Sequence, residues 1–281
     1  MSFHRLALSA IAACLLASCS TAKPEAPSLK SAYVAPASKP VAKPLDADDP
    51  VPMAPAAWFK PNRPLGGLGG RTLTVGSVDE IKLRPKEVIL TFDDGPVPGK
   101  TEAVLATLNR YGVKASFMMV GSMAEAHPAI ARKVAGSGNS IGSHTFRHAD
   151  LAHLSFDQAM NEILKGETAV RTATGVQPGF FRFPYLSDTR RLRLALASRG
   201  SVVMDVQIDS KDYFRNSPSQ LVERTMASLH KQGHGIILMH DIHARTVQML
   251  PTLLERLKAE GYQVVALRYK RSRMPLAAGS V

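Results

Sequence analysis

Residues 88–96 read Val-Ile-Leu-Thr-Phe-Asp-Asp-Gly-Pro, an apolar run followed by two adjacent carboxylates and a Gly-Pro turn. Residues 88–92 have the composition and length of a buried strand. On an extended chain the side chains of Asp93 and Asp94 point to different sides, so we expect the two to do different jobs. The alternative is a turn that favours Asp and Gly for its backbone geometry alone.

The pattern of an apolar run followed by a helical stretch repeats after this segment. Six more predicted strands lie at residues 115–120, 140–142, 179–183, 201–208, 235–239 and 263–267. Capping boxes predict helices that begin after Ser155 and Ser217, and Gly112 and Gly233 lie where helices are expected to end. Seven strands that alternate with helices predict an α/β fold, a parallel sheet with helices outside it. A short antiparallel piece at residues 71–83 is predicted to precede it.

Polar residues interrupt the predicted strands at their carboxyl ends. They are Asp93, Asp94, His144, His148, Arg182, Asp209, Asp212, His240 and Asp241. Random placement would scatter such residues over both ends of the strands. Because α/β barrels place their active sites at the carboxyl ends, this convergence indicates a catalytic site on that face.

Two histidines in this set have the spacing of metal ligands. His144 and His148 are four residues apart, close enough to reach one ion from a tight loop or helical turn. Two imidazoles and one carboxylate, with a position left open for water, are typical of hydrolytic zinc-type sites. Either Asp93 or Asp94 could be the carboxylate ligand, and the other could lie beside the water. Arg182, if buried, needs a carboxylate partner, and Asp93 is available.

A third histidine ends the strand predicted at residues 235–239. His240 could act as a titratable catalytic group, and Asp209 or Asp212 could orient its ring by accepting an N–H. The alternative is a core histidine whose hydrogen bonds are satisfied. Asp241 is open to a simple role as the cap of the following helix, and the sequence leaves the role of His243 undecided.

Five segments in order resemble the motifs of a known family. They lie at residues 91–96, 144–148, 182–185, 209–213 and 238–240. These segments resemble those of the polysaccharide deacetylases of carbohydrate esterase family 4, the NodB-homology domain, and the resemblance covers roughly residues 86–269. It implies a distorted (β/α)7 barrel that removes acetyl groups from N-acetylated sugars.

The resemblance implies a metal-dependent hydrolase. Asp94, His144 and His148 would bind a divalent metal, with Zn²⁺ expected and Co²⁺ or Mn²⁺ as alternatives. Asp93 would be the general base, and Arg182 would hold it in place.

The same resemblance implies roles for residues on the other side of the site. His240 would be the general acid, held by Asp212. The backbone N–H of Tyr185 would stabilise the oxyanion, and Leu238 would line the pocket for the acetyl methyl group. Tyr213 departs from the family pattern, which usually has Trp at this position, and this leaves the preferred substrate open.

The amino-terminal segment has the pattern of an export signal. An apolar stretch of twelve residues at 6–17 would span ~18 Å as a helix, too short for a bilayer core of ~30 Å. The run Leu16-Ala17-Ser18-Cys19 resembles a bacterial lipobox. We therefore expect a signal peptide at residues 1–18 and lipidation of Cys19. The alternative is an ordinary signal peptide with an accidental cysteine.

The composition predicts two further segments of the chain. Residues 19–64 are expected to be the lipidated cysteine and a Pro/Ala-rich tether, and residues 65–281 the deacetylase domain. An exported chain of this kind would be lipid-anchored to the cell envelope, in the outer membrane or periplasm if the source is Gram-negative.

The composition of the 281-residue chain limits its class. Hydrophobic residues make up 45% and charged residues 21%, which excludes wholesale disorder. Two cysteines in all exclude a disulfide scaffold and a Cys-rich zinc module. The net charge is +12, but neither a basic helix nor an aromatic platform indicates nucleic-acid binding. We expect a monomer that has no nucleic-acid partner.

An envelope polymer is the expected substrate and partner, because a tethered catalyst suits one. Peptidoglycan, a secreted poly-N-acetylglucosamine, a chitooligosaccharide and other envelope glycans all stay open. An alternative from a different class is a non-catalytic glycan-binding protein that keeps the fold. Acetate release from a polymer by the metal-loaded protein distinguishes the two.

Overall fold

Nine strands, all paired in parallel, form one sheet in the computed structural model, which describes residues 67–270. The strands are β1 (Gly69–Val75), β2 (Glu87–Asp93), β3 (Ser116–Met119), β4 (Ser140–Ser143), β5 (Phe180–Phe181), β6 (Val202–Val203), β7 (Ile208–Asp209), β8 (Gly235–His240) and β9 (Gln263–Tyr269). The helices are α1 (Lys100–Tyr111), α2 (Gly121–Ala126), α3 (Pro128–Gly136), α4 (Phe156–Thr174), α5 (Arg190–Ser198), α6 (Pro218–Gln232) and α7 (Ala244–Ala259). The predicted signal peptide, Cys19 and the tether lie outside the described residues and stay predictions.

Seven of the strands have the order of a distorted (β/α)7 barrel. Their hydrogen-bonded order is β6-β5-β4-β3-β2-β8-β7, and residues 204–207 connect the two end strands along the chain. The predicted α/β fold with a parallel sheet is therefore confirmed. The register pairs Asp93 with both Met118 and His240, which brings the carboxyl ends of β2 and β8 side by side.

Two details of the predicted strand pattern are wrong. Residues 71–83 do not form an antiparallel piece, because β1 pairs in parallel with β9, and residues 76–86 return the chain to the beginning of β2. Residues 201–208 form two short strands instead of one. Between them, the Met204 carbonyl accepts a hydrogen bond from Arg182, and Asp205 forms a salt bridge with Arg193.

The predicted helix ends are confirmed. Ser155 and Ser217 each accept a hydrogen bond from the backbone N–H three residues on, and the glutamine there bonds back to the serine N–H. Gly112 and Gly233 end α1 and α6 with positive φ angles of 66° and 76°, a conformation that glycine adopts without a Cβ clash.

Side chains of the strands alternate between two apolar regions. Leu90 and Phe92 of β2 belong to a cluster with the helices outside the sheet, whereas Ile89 packs with Met118 and Ile236 inside the barrel. Because every second side chain of a strand faces the same side, the inward-facing side chains of β2 begin with Ile89 and end with Asp93.

The beginnings of the barrel strands are closed by β9. It pairs with the beginning of β2, accepts a hydrogen bond from Ser140 at the Leu267 carbonyl, and donates one from the Tyr269 hydroxyl to Gly200. Val265 and Leu267 of β9 lie in the interior cluster. The barrel is thus apolar at this end and polar at the opposite end.

No helix within residues 67–270 combines the length and apolar character that a membrane span requires.

Candidate active site

The predicted site residues meet at the carboxyl ends of β2, β4, β5, β7 and β8. The backbone there is unusual: of seven non-glycine residues with positive φ in the described part of the chain, six lie in the loops of this face. These six are Asp94, Thr145, His148, Tyr185, Leu186 and Lys211. Such conformations cost free energy and cluster at functional sites, where the surrounding structure enforces them.

The two adjacent carboxylates have different nearest partners, as predicted, but the backbone at Asp94 is left-handed and not extended. Asp93 is buried, and its Oδ1 accepts a hydrogen bond from Arg182 Nη1 at 2.8 Å. Asp94 turns the other way with a φ of 76°. Its Oδ1 lies 3.5 Å from His144 Nε2 and 3.3 Å from His148 Nε2.

Asp94, His144 and His148 fit a divalent metal. One potential ligand atom from each lies within 4.8 Å of the others. Asp94 Oδ1 is buried without a hydrogen-bond partner among the described residues, as an atom reserved for a cation would be. His144 Nδ1 lies 2.8 Å from the Arg182 carbonyl, so it carries the proton donated there and leaves Nε2 facing Asp94.

The electrostatics of this cluster suit metal binding. Burial, helped by the charge of His144, lowers the pKa of His148 to about 4, so its imidazole is neutral at physiological pH. Burial alone would raise the pKa of Asp94, but the neighbouring histidines, the charged His240 foremost, bring it below its ordinary value. A neutral imidazole and an ionised carboxylate are the forms that bind a metal.

Arg182 connects the carboxylate to the barrel interior. Its side chain is 1% exposed. Nη1 donates to both Asp93 and Thr91, and Nε donates to the Met204 carbonyl at 3.1 Å. A buried guanidinium held at three acceptors fixes the orientation of the Asp93 carboxylate.

Partly buried His240 and fully buried Asp212 form a second pair. His240 Nδ1 lies 2.7 Å from Asp212 Oδ1, while the other carboxylate oxygen accepts from the His240 backbone N–H and from the Thr246 hydroxyl. Burial would lower the pKa of His240, but the Asp212 charge outweighs it and raises the pKa to about 10. His240 is therefore an imidazolium that can donate a proton. Asp209, the other candidate, accepts instead from Tyr213 and from the Lys211 backbone.

Asp241 does not cap the helix that follows it. Helix α7 begins at Ala244, and Asp241 is buried, where it accepts a 2.5 Å hydrogen bond from Thr101 of α1. Its carboxylate packs so closely against Gly95 that a Cβ there would overlap it. Burial raises the pKa of Asp241 to about 7. The sequence alone could not distinguish this contact from a helix cap, because Gly95 and Thr101 are both about 140 residues before Asp241 in the chain.

The rim of the site is apolar and aromatic. Tyr185 is 53% exposed, and its ring centroid lies 4.7 Å from that of His148. The Tyr213 ring lies 5.6 Å from the His240 ring, and Leu238, two residues before His240 in β8, is buried. Two exposed neighbours, Leu186 and Phe214, were not predicted from the sequence. The sequence pattern that could have identified them is an apolar residue directly after a motif, at a position where a loop is ordinarily polar.

The chain is similar to known polysaccharide deacetylases. A family model described as polysaccharide deacetylase matches residues 80–204. A peptidoglycan-N-acetylglucosamine deacetylase of Listeria monocytogenes is 33% identical over 182 residues, which are 65% of this chain and 38% of that protein. A chitin deacetylase of Colletotrichum lindemuthianum is 32% identical over 216 residues, 71% of this chain and 85% of that protein. The chain thus spans well under half of the Listeria relative and most of the fungal one.

A solved structure also matches. The peptidoglycan deacetylase of Bdellovibrio bacteriovorus superposes with a TM-score of 0.63 at 35% sequence identity. The match covers 67% of this chain and 54% of that chain.

Proposed function

This chain belongs to the polysaccharide deacetylase family, and from that premise we propose that it hydrolyses the N-acetyl groups of amino sugars in a cell-envelope or extracellular polysaccharide. The proposal depends mainly on two hydrogen-bonded pairs that lie beside one cluster of metal ligands. Arg182 orients the Asp93 carboxylate, and Asp212 orients the His240 imidazolium. A base and an acid at one site are what hydrolysis of an amide requires.

Asp94, His144 and His148 would hold the divalent metal. Their donor set of two imidazoles and a carboxylate favours Zn²⁺, with Co²⁺ or Mn²⁺ as alternatives. When bound, the metal supplies a Lewis acid that polarises the acetyl carbonyl.

Asp93 is the proposed general base. Arg182 occupies its Oδ1, and its Oδ2 lies 3.8 Å from His144 Nε2, so the second oxygen faces the ligand cluster. Oδ2 takes a proton from the attacking water as the water oxygen bonds to the acetyl carbon. The backbone N–H of Tyr185, in a loop of positive φ, donates to the developing oxyanion.

His240 is the proposed general acid. It transfers its proton to the amide nitrogen as the carbon–nitrogen bond breaks, which releases acetate and a free amino sugar. Asp212 stays ionised, because the His240 charge and three hydrogen bonds outweigh the burial that would raise its pKa. It therefore keeps the ring oriented and charged before each transfer. Leu238, buried in β8, lines the space for the acetyl methyl group.

The proposed substrate and partner is a peptidoglycan or poly-N-acetylglucosamine type of polymer, on which the protein acts as a monomer. The bacterial and fungal relatives, which are named peptidoglycan and chitin deacetylases, support this class. Acetate release from each polymer, by zinc-loaded and by chelated protein, tests the proposal. Acetate that appears only with metal supports it, whereas polymer binding without any acetate would support the alternative of a glycan-binding protein.

We further propose that the chain is exported and lipid-anchored to the envelope. The support is the apolar stretch at residues 6–17 and the lipobox-like run that ends at Cys19. Cell fractionation of Cys19→Ala tests this proposal, because loss of the lipid should move the protein out of the membrane fraction. Equal membrane retention of the variant would contradict it.

A further inference from the structure

Two exposed aromatic side chains extend the site beyond the general acid. Tyr213 is 42% exposed and Phe214 is 47% exposed, with their ring centroids 4.7 Å apart. We call these two rings the aromatic shelf. The Tyr213 ring lies 5.6 Å from His240 and is held by a hydrogen bond of 2.8 Å from its hydroxyl to Asp209. The shelf is therefore fixed next to the point where the amide is broken.

Two cationic side chains flank the shelf. Lys211 Nζ lies 5.9 Å from the centroid of the Phe214 ring, and Arg245 Nη1 donates a hydrogen bond to the Phe214 carbonyl. Both cationic groups therefore lie beside Phe214, one near its ring and the other at its backbone carbonyl.

These cations lack acidic partners within residues 67–270. Neither Lys211 nor Arg245 forms a salt bridge there, whereas Arg193 and Arg256 each bridge two carboxylates. The nearby Asp209 has both oxygens engaged, one by the Lys211 backbone N–H and the other by the Tyr213 hydroxyl. The ammonium and guanidinium groups are therefore available to an anionic ligand.

We infer that this region is a subsite for a sugar that carries a carboxylate, next to the sugar that loses its acetyl group. An aromatic face accepts the apolar face of a sugar ring, and unpaired cations at its edge attract a carboxylate substituent. A neutral homopolymer of N-acetylglucosamine would use only the rings. The inference rests on the proposed function and narrows its substrate to an acidic N-acetylated glycan.

The test compares two tetrasaccharides of equal length. One is the neutral tetramer of N-acetylglucosamine, and in the other every second sugar carries a lactyl carboxylate. Steady-state acetate release is measured on both with zinc-loaded wild type, Lys211→Gln/Arg245→Gln, and the control Arg132→Gln, whose exposed side chain lies on α3. We define the preference as kcat/KM on the acidic tetrasaccharide divided by kcat/KM on the neutral one. In the double variant this ratio should fall about tenfold, the effect of losing two solvent-exposed ion pairs, and the fall should come from a higher KM for the acidic substrate. The control should keep the preference.

Added salt gives a second readout on the wild type. Salt screens exposed charges, so added salt should reduce the preference of wild type for the acidic tetrasaccharide. The preference of the double variant should change little with salt, because its two charges are already absent. An equal loss on both substrates, or an unchanged preference, would overturn the subsite.

Binding separates this inference from the proposed function. Calorimetry with the acidic tetrasaccharide should show weaker binding to the double variant whether or not the chain releases acetate. Absence of acetate with wild type would overturn the proposed function, whereas equal affinity of wild type and double variant would overturn the subsite alone.

Discussion

At the scale of residues, the site depends on pairs in which one side chain fixes the charge or direction of another. Arg182 orients Asp93, and Asp212 keeps His240 protonated. The sequence predicted both pairs only as possibilities, because a buried Arg or His needs a partner but the chain offers several carboxylates. Asp212 was distinguished from Asp209 only by the resemblance, and the contact to the His240 ring agrees with it.

The pH dependence of turnover should report the Asp212–His240 pair. A general acid works while it is protonated, so the rate should stay high below the raised pKa of His240, about 10, and fall above it. Asp212→Asn removes the charge that raises this pKa, so the alkaline limb of the kcat profile should move to lower pH by about one unit or more. Asp209→Asn, whose carboxylate contacts Tyr213, is the control and should leave the limb in place. An unmoved limb in Asp212→Asn would contradict the assignment of His240 as the acid.

The contact between Gly95 and Asp241 should make Gly95 intolerant of a side chain. A Cβ there would overlap the Asp241 carboxylate, so Gly95→Ala should displace the loop next to Asp94, lower the free energy of unfolding by about 1–3 kcal/mol and weaken zinc binding. Gly136→Ala is the matched control, since its Cβ would meet no atom within 4 Å. Denaturant unfolding and zinc titration measure the two effects. Wild-type zinc affinity in Gly95→Ala would show that this contact does not position the ligand loop.

At the scale of elements, most strands were predictable and their pairing was not. Apolar runs bounded by polar residues located β2 and β8 to within a residue, because burial dictates their composition. The partner of β1 could not be predicted, since Gly69 pairs with Val264, almost two hundred residues later. The break between β6 and β7 also depends on distant groups, Arg182 at the Met204 carbonyl and Arg193 at Asp205.

The strand β9 should contribute stability without affecting the chemistry. Leu267→Ala would leave a cavity at the apolar end of the barrel and should cost about 2–4 kcal/mol in the free energy of unfolding. Zinc affinity should remain that of wild type, because the ligands lie at the opposite ends of the strands. Denaturant unfolding and zinc titration of the same preparation check both parts. A stable variant, or one that loses zinc while folded, would contradict this division.

At the scale of the whole molecule, the barrel separates a stabilising end from a reactive end. The interior changes from Ile89 and Ile236 at the beginnings of the strands to Asp93 and His240 at their ends. The location of the site was predictable for this reason, because polar residues that follow apolar strands converge in any parallel barrel. The aromatic shelf was not, since exposed rings have no required pattern in a sequence.

In the proposed mechanism, the adjacent and chemically alike carboxylates of Asp93 and Asp94 divide base catalysis and metal binding between them. Elemental analysis for zinc beside acetate release, on purified Asp93→Asn and Asp94→Asn, tests it most directly. Asp93→Asn should keep its zinc and lose about 10²–10⁴ in rate, the usual contribution of a general base. Asp94→Asn should lose zinc, because a neutral amide is a poorer ligand than a carboxylate. Zinc lost from Asp93→Asn and kept in Asp94→Asn would reverse the assignments, and near-normal rates with zinc in both variants would contradict the mechanism.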